Sequence, residues 1–269
     1  MSHPDILHTL DGVRAGDPTA PLLVLGPSLG TTAELWAGPA DLLAATHRVL
    51  RYDLPGHGVS PNARESFCIS DLADAVIAAI DSVGGGPFHY AGVSLGGAVG
   101  LQLALRHPDR LRSVSIFCSG ARVGTPEAWR ARAAQVRASG TGTLVDGSAE
   151  RWFAPGFLAR DVAGSTALAA LRDVDDESYA LACEALAEFD VTDALGTLST
   201  PTLCVSGEYD RVTPSAQLAE LSDRIPEARW ATIAGAAHLP PLERPREVTE
   251  LLLSNTRRPI KPNKDEFHG

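Results

Sequence analysis

With 269 residues, 44% of them hydrophobic, and a mean hydropathy near zero, the chain is long enough for one large α/β domain with a buried core, and no apolar run reaches membrane-span length. A formal net charge of −10 makes nucleic acid and anionic membrane poor partners. Cys68, Cys118, Cys183 and Cys204 show no C-x-x-C spacing, so reduced thiols are expected rather than a zinc site or disulfide framework. The N-terminal segment lacks a basic and then apolar leader, which points to the cytoplasm.

In chain order, Asp5 to Val13 reads as an edge strand or hairpin turning at Asp11-Gly12 or Ala15-Gly16-Asp17. Leu22 to Leu25 is a continuous apolar run, as in a parallel strand covered on both faces, and it stops at the loop Gly26-Pro27-Ser28-Leu29-Gly30-Thr31. Val49 to Tyr52 is the next strand, ending at Asp53-Leu54-Pro55-Gly56-His57-Gly58-Val59-Ser60. Ile69 to Val83 has helical spacing and ends at Gly84-Gly85-Gly86-Pro87. After a strand at Phe88 to Ala91 and a helix from Leu95 to about Arg106, Val114 to Cys118 reads as another buried strand. Residues 121–189 then change character, being Ala- and Arg-rich with helical periodicity and no strand-like run, and are read as a helical cap. Strand character returns at Thr202 to Val205, followed by a helix from Pro214 to about Ile225, a strand at Arg229 to Ile233 and a helix from Arg246 to Asn255. This alternation predicts a mostly parallel twisted sheet flanked by helices, with residues 1–120 and 190–256 as the core, 121–189 as the cap and 257–269 as a loose tail. There are no internal repeats.

The chemistry concentrates in Gly92-Val93-Ser94-Leu95-Gly96. A strand runs into it and a helix runs out, the context in which G-x-S-x-G forms a tight turn presenting a strained serine beside a helix N-terminus. Gly92 and Gly96 are expected where a Cβ would strike the neighbouring strand or helix. A serine hydroxyl needs a base, and the base needs a carboxylate to fix its tautomer. His238, after the last strand in Gly235-Ala-Ala-His238, and Asp210, after the strand before it, stand at C-terminal strand ends where the crevice of a parallel sheet lies. The remaining histidines lie near the termini, in a Gly-rich turn (His57), at a helix end (His107) or at the other end of the sheet (His47, His89). Asp53 also ends a strand, but in D-x-x-G-H-G-x-S it is expected to fix its own turn. Two backbone amides must meet the oxyanion: that of Leu95, and one from the loop after the first parallel strand, where counting back from Trp36 selects Leu29. No cofactor or metal is called for, and the expected partner is a small molecule. A homo-oligomer is compatible with the sequence.

With the order Ser94, Asp210, His238, the chain is identified as resembling the α/β-hydrolase superfamily. Its loop PSLGTTAELW, the stretch RYDLPGHGVS, the elbow GVSLGGAVG, the cap segments GTPEAWRARAAQVRASG and ERWFAPGF, and CEALAEFD resemble 3-oxoadipate enol-lactonases. The resemblance implies an α/β-hydrolase fold and opening of 3-oxoadipate enol-lactone to 3-oxoadipate, a step of aromatic catabolism, through an acyl-enzyme on Ser94. Pro55 departs from the arginine common at that place, and no second decarboxylase domain follows, so the lactonase step alone is expected. Such a substrate carries a carboxylate. The only lysines are Lys261 and Lys264, so arginine must hold it, and Arg122, Arg132 and Arg151 of the cap are the candidates beside a reading as solvated helix-face residues. Trp129 and Trp152 either line the cap side of the pocket or pack the cap. The same scaffold also serves carboxylesterases, perhydrolases and carbon–carbon bond hydrolases, and, with little turnover, binding proteins. A dehalogenase would hold aspartate at position 94.

Overall fold

The computed structural model describes residues 3–11, 17 and 19–257; the turns expected at 12–16 and the tail from 258 lie outside the described residues. Seven strands, β1 (His8–Asp11), β2 (Leu22–Gly26), β3 (Arg48–Tyr52), β4 (Phe88–Val93), β5 (Leu111–Phe117), β6 (Thr202–Gly207) and β7 (Arg229–Ile233), form one sheet in the order β1-β3-β2-β4-β5-β6-β7. Every neighbouring pair is parallel except β1 with β3. The central strands β2, β4 and β6 are buried throughout, which is why they read as unbroken apolar runs.

The helices are α1 (Ala37–Leu43), α2 (Ile69–Ser82), α3 (Leu95–Arg106), α4 (Pro126–Ser139), α5 (Val145–Trp152), α6 (Phe157–Arg160), α7 (Val162–Arg172), α8 (Asp176–Ala187), α9 (Ser215–Arg224), α10 (Pro240–Glu243) and α11 (Pro245–Thr256). Successive residues of a strand face opposite sides of the sheet. Gly100 of α3 lies against Ile116, whereas Asn255 of α11 donates to Ser115 Oγ at 3.0 Å, so these two helices cover opposite faces of β5. No helix among the described residues is long and apolar enough to cross a membrane.

Of the two readings of the first strand, edge strand or hairpin, the sheet holds the edge strand: β1 pairs with β3 and not with the strand that follows it. β5 begins at Leu111, three residues before the apolar run suggests, because exposed Arg112 breaks the hydrophobic pattern where the strand is not yet covered on both faces. The short helix α10, opened by two prolines, has no periodicity to betray it.

All five helices between β5 and β6, α4 to α8, form a strand-free insertion. Two polar seams fix it to the rest. At one, Asp175 N–H donates to the Gly56 carbonyl (3.0 Å) and Ala63 N–H to Ser178 Oγ (2.9 Å). At the other, buried Glu243 accepts from Ala154 N–H and Ala237 N–H, both at 2.6 Å, while Trp152 O accepts from His238 N–H at 3.1 Å. Burial pushes the Glu243 carboxyl above its usual range, against the pull of those two amides.

A Cβ on Gly92 would stand 2.2 Å from Gly96 O and 2.3 Å from its carbonyl carbon, backbone that cannot rotate aside. Gly92→Ala is therefore expected to cost at least about 3 kcal/mol. Gly100→Ala, whose Cβ meets only side-chain carbons of Ile116 and Tyr90 at 3.0 Å, should stay within about 1 kcal/mol because alanine also favours the helix. Urea unfolding midpoints check the contrast. Glu243→Gln keeps the volume but turns an amide NH₂ toward one N–H, and a loss of about 2–3 kcal/mol is expected by the same measurement.

Candidate active site

β4 passes into α3 with Ser94 alone between them, at φ 55° and ψ −112°. A non-glycine residue there stores roughly 1–3 kcal/mol of strain and must be held. Ser94 N–H donates to Phe117 O (2.9 Å), and Ser94 O accepts from Ser119 Oγ (2.7 Å) and Ala98 N–H (3.0 Å). Gly96 allows the approach, since a Cβ on it would lie 2.6 Å from Gly26 O.

His238 and Asp210 arrive from the loops after β7 and β6. Tyr209 N–H donates to Ala236 O (2.8 Å) and Gly235 N–H to Glu208 Oε2 (2.8 Å), tying one loop to the other. His238 Nδ1 stands 3.0 and 3.1 Å from the two oxygens of Asp210. Asp210 also accepts from Val212 N–H (2.8 Å), Thr213 N–H (3.1 Å) and Thr213 Oγ1 (2.7 Å). Burial favours its neutral form, but the attraction and hydrogen bond of His238 and the Thr213 bonds outweigh it and bring the carboxyl down to about 2. Asp210 is thus an anionic acceptor, and the only proton available for the contact is the one on Nδ1. Asp53, the rival carboxylate, spends its oxygens on Ala33 N–H (2.7 Å) and Val59 N–H (3.0 Å) and fixes its own turn.

Two buried amides, those of Leu29 and Leu95, find no acceptor among the described residues. The Ser28 carbonyl accepts from both Thr31 N–H (3.0 Å) and Thr31 Oγ1 (2.8 Å). In a trans peptide the N–H points opposite to the C=O, so these bonds turn the Leu29 N–H away from the Thr31 turn.

Ser94, His238, Ser28 and Leu29 line one cavity of about 200 Å³ together with Trp129, Arg132, Arg151, Trp152 and Tyr179 of the insertion and with Arg211 and Val212. Of the expected substrate-side residues, four of five reach it. Arg122 does not: its neighbour Val123 is buried against the cavity, so Arg122 projects outward and sits 3.7 Å from Asp190. Both aromatic readings hold together. Trp129 lines the cavity while donating its indole N–H to Val123 O, and buried Trp152 lines it while packing edge-on to Phe153 at 6.4 Å.

The Arg132 guanidinium lies 5.1 Å from the Trp129 ring centroid and Arg151 Nε donates to Gly147 O (2.8 Å), and among the described residues Arg132, Arg151 and Arg211 have no carboxylate within ion-pair distance. Burial, then the charge of Arg132, weakens the hold of Arg151 on its proton. Two residues here escaped the sequence reading. Tyr179 lies on a helix that opens with Asp176-Glu177-Ser178 and carries no motif, and Arg211 stands next to the more conspicuous Asp210, although its place just after a strand end is an available signal.

Cys118, Asp210 and His238 are the one group of potential metal ligands among the described residues, their donor atoms lying within 4.8 Å of one another. They fit a metal poorly. Burial and the Asp210 charge push the Cys118 thiol well above its ordinary value, and the Asp210–His238 contact occupies the histidine nitrogen on that side.

The chain is 31% identical over 237 residues to 3-oxoadipate enol-lactonase 1 of Acinetobacter baylyi, covering 88% of each protein. It is 34% identical over 246 residues to a pimeloyl-[acyl-carrier protein] methyl ester esterase of Aeromonas hydrophila, covering 86% of this chain and 94% of that one. Its fold superposes on the crystal structure of the enol-lactonase from Burkholderia xenovorans with a TM-score of 0.89 at 33% identity, over 94% of this chain and 96% of the other. The alpha/beta hydrolase family model matches residues 23–251. With a mostly parallel sheet, a serine on a strained strand-to-helix turn and a histidine–aspartate pair whose histidine lines the same cavity, the chain belongs to the alpha/beta hydrolase family.

Proposed function

We propose that the protein is a serine hydrolase that opens 3-oxoadipate enol-lactone to 3-oxoadipate without a cofactor, acting in the cytoplasm on a step of aromatic catabolism. The observation that carries this reading is the pair Arg132 and Arg151. In a chain of net charge −10, two guanidiniums free of carboxylates line the cavity that Ser94 and His238 share. Like charges gathered with no carboxylate in direct ion-pair contact favour an anion bound between them and the reacting serine. The lactone supplies one, a carboxylate remote from its acyl carbon. The enol-lactonase relatives support the choice, and α4 to α8 act in it as a cap over the site.

Ser94 Oγ attacks the lactone carbonyl as His238 Nε2 takes its proton, while Asp210 holds Nδ1–H and favours the imidazolium. The free amides of Leu29 and Leu95 receive the oxyanion. Collapse breaks the ring C–O bond, and its electron pair leaves as an enolate that takes the proton back from His238 and tautomerises to the ketone. The leaving group remains on the chain as the far end of the acyl-enzyme. Water deprotonated by His238 then attacks the ester carbon, and Ser94 leaves with that proton as the dicarboxylate is released.

Wild-type protein is expected to consume freshly generated 3-oxoadipate enol-lactone, followed by its ultraviolet absorbance, with Ser94→Ala inactive. Arg132→Leu and Arg151→Leu should each raise KM for the lactone about 10-fold or more while leaving p-nitrophenyl acetate hydrolysis nearly unchanged. Efficient turnover of the aryl ester with the lactone untouched would sink the lactonase reading and leave a serine esterase.

Asp210→Asn should lower kcat about 10⁴-fold, because the amide no longer selects the Nδ1–H tautomer. Its carboxyl falls on folding from 3.8 to about 2, so its contribution to stability is complete above 3.8 and vanishes as pH falls through about 2. The unfolding free energies of wild type and Asp210→Asn, measured in urea from pH 7 to 2, should therefore converge only below about pH 4. A constant gap down to pH 2 would contradict the assignment.

A further inference from the structure

His57 is fully buried, outside the reacting set, and wedged between the substrate-side helices and the loop that follows β2. Its two nitrogens have different and fixed partners. Nδ1 stands 2.9 Å from the Pro55 carbonyl, which can only accept, so Nδ1 carries the proton. Nε2 is then a bare lone pair, and it accepts the Gly30 N–H at 3.0 Å. On one side the ring stacks on Tyr179 of α8, with centroids 6.4 Å apart and planes 21° apart. Its own loop is pinned to the start of α8 through Gly56 O and Ala63 N–H.

The Gly30 amide is one peptide along from the Leu29 amide. The peptide between Ser28 and Leu29 is oriented by the two Thr31 bonds to Ser28 O, and the peptide between Leu29 and Gly30 by His57. Only Leu29 φ and ψ separate these planes, so fixing both leaves the Leu29 N–H a single direction. Without an acceptor at Nε2, the Gly30 N–H would be a buried orphan. The second peptide would turn to satisfy it and carry Leu29 with it. A histidine that merely filled the core would need no lone pair on this side.

We propose that His57 is a positioning residue for acyl transfer: as a neutral ring it clamps Gly30 so that the Leu29 amide faces the oxyanion formed on attack by Ser94. The inference rests on the reading of Ser94 as nucleophile and Leu29 as oxyanion donor, and is independent of which ester or lactone is cleaved. Burial, opposed by the Pro55 bond and the Asp175 charge, brings the ring down to about 4, so it stays neutral near neutral pH. Asp175 acts on the ring through its charge and Tyr179 stacks on it, both from the insertion.

Two substitutions separate this role from mere packing. In His57→Gln the Oε1 can stand where Nε2 stands and keep the Gly30 bond. In His57→Asn the shorter amide can keep only the bond to Pro55 O. Rates are measured on the enol-lactone and on p-nitrophenyl acetate, per site titrated with a fluorophosphonate, with unfolding followed in urea. His57→Asn is expected to lower kcat about 10–100-fold with KM within about 2-fold on each substrate that wild type turns over, and His57→Gln to keep kcat within about 5-fold. Equal kcat in the two variants, both high or both low, overturns the proposal. An untouched lactone with the same Asn–Gln contrast on the aryl ester leaves it standing while removing the lactonase reading; ester turnover surviving Ser94→Ala removes the reading of the nucleophile itself. Should neither variant fold, ¹⁵N NMR of the wild type decides. His57 must show a protonated Nδ1 and a bare Nε2 from pH 5 to 8, and a protonated Nε2 overturns the clamp.

Discussion

A serine with φ near +55° survives at the end of β4 only because backbone packs on backbone around it. The approach of α3 to β4 and to the loop after β2 leaves no space for a Cβ at Gly92 or Gly96, so strand and helix meet with Ser94 as the sole link. That close contact sets the rest. It places the start of α3, with its free Leu95 amide, beside Ser94. The Gly96 N–H donates to Pro27 O at 3.1 Å, which draws the β2 loop alongside. Because β2 and β4 to β7 are parallel, their C-terminal loops converge on the same edge, and Asp210 and His238 need only short excursions to meet there.

The features legible in the sequence share a physical reason. Unbroken apolar runs mark strands covered on both faces, and glycines around Ser94 mark a place where no side chain fits. A charged or titratable residue just after a strand end stands where the crevice must be. These are local consequences of a global constraint, so they can be read locally. The edge strand β1 was visible but its partner was not, since four residues carry no record of which strand they pair with. Arg122 shows the limit on the substrate side. Arg122, Arg132 and Arg151 are chemically alike, but they stand before α4, on α4 and on α5, and whether each faces the cavity depends on how those segments dock. His57 and Glu243 were illegible for a related reason. Each matters through backbone groups it accepts from, and a backbone N–H has no letter in the sequence.

Both seams that hold the insertion run through backbone hydrogen bonds close to these two side chains. Glu243 joins Ala154, two residues after cavity-lining Trp152, to Ala237, next to His238. The His57 loop joins the start of α8, which carries Tyr179, to Gly30, next to Leu29. Each seam therefore has one end on the wall that would grip the substrate and the other within one residue of a group that would act on it. Backbone hydrogen bonds transmit position more faithfully than side-chain packing, because the peptide plane leaves few soft torsions between donor and neighbour.

This arrangement bears on what the insertion contributes beyond covering the site. Under the proposed function the arginines hold a carboxylate several bonds from the carbon attacked, so their grip aids the reaction only if the distance from guanidinium to Ser94 is fixed. A loosely hinged insertion would bind the anion equally well in positions where the acyl carbon misses the oxyanion amides, lowering KM without raising kcat. The two seams remove that freedom, one through the base loop and one through the oxyanion loop. The pairing of charge on the insertion with rigid backbone links to both loops is thus one device, in which the energy gained at the remote carboxylate is spent on alignment at the carbonyl.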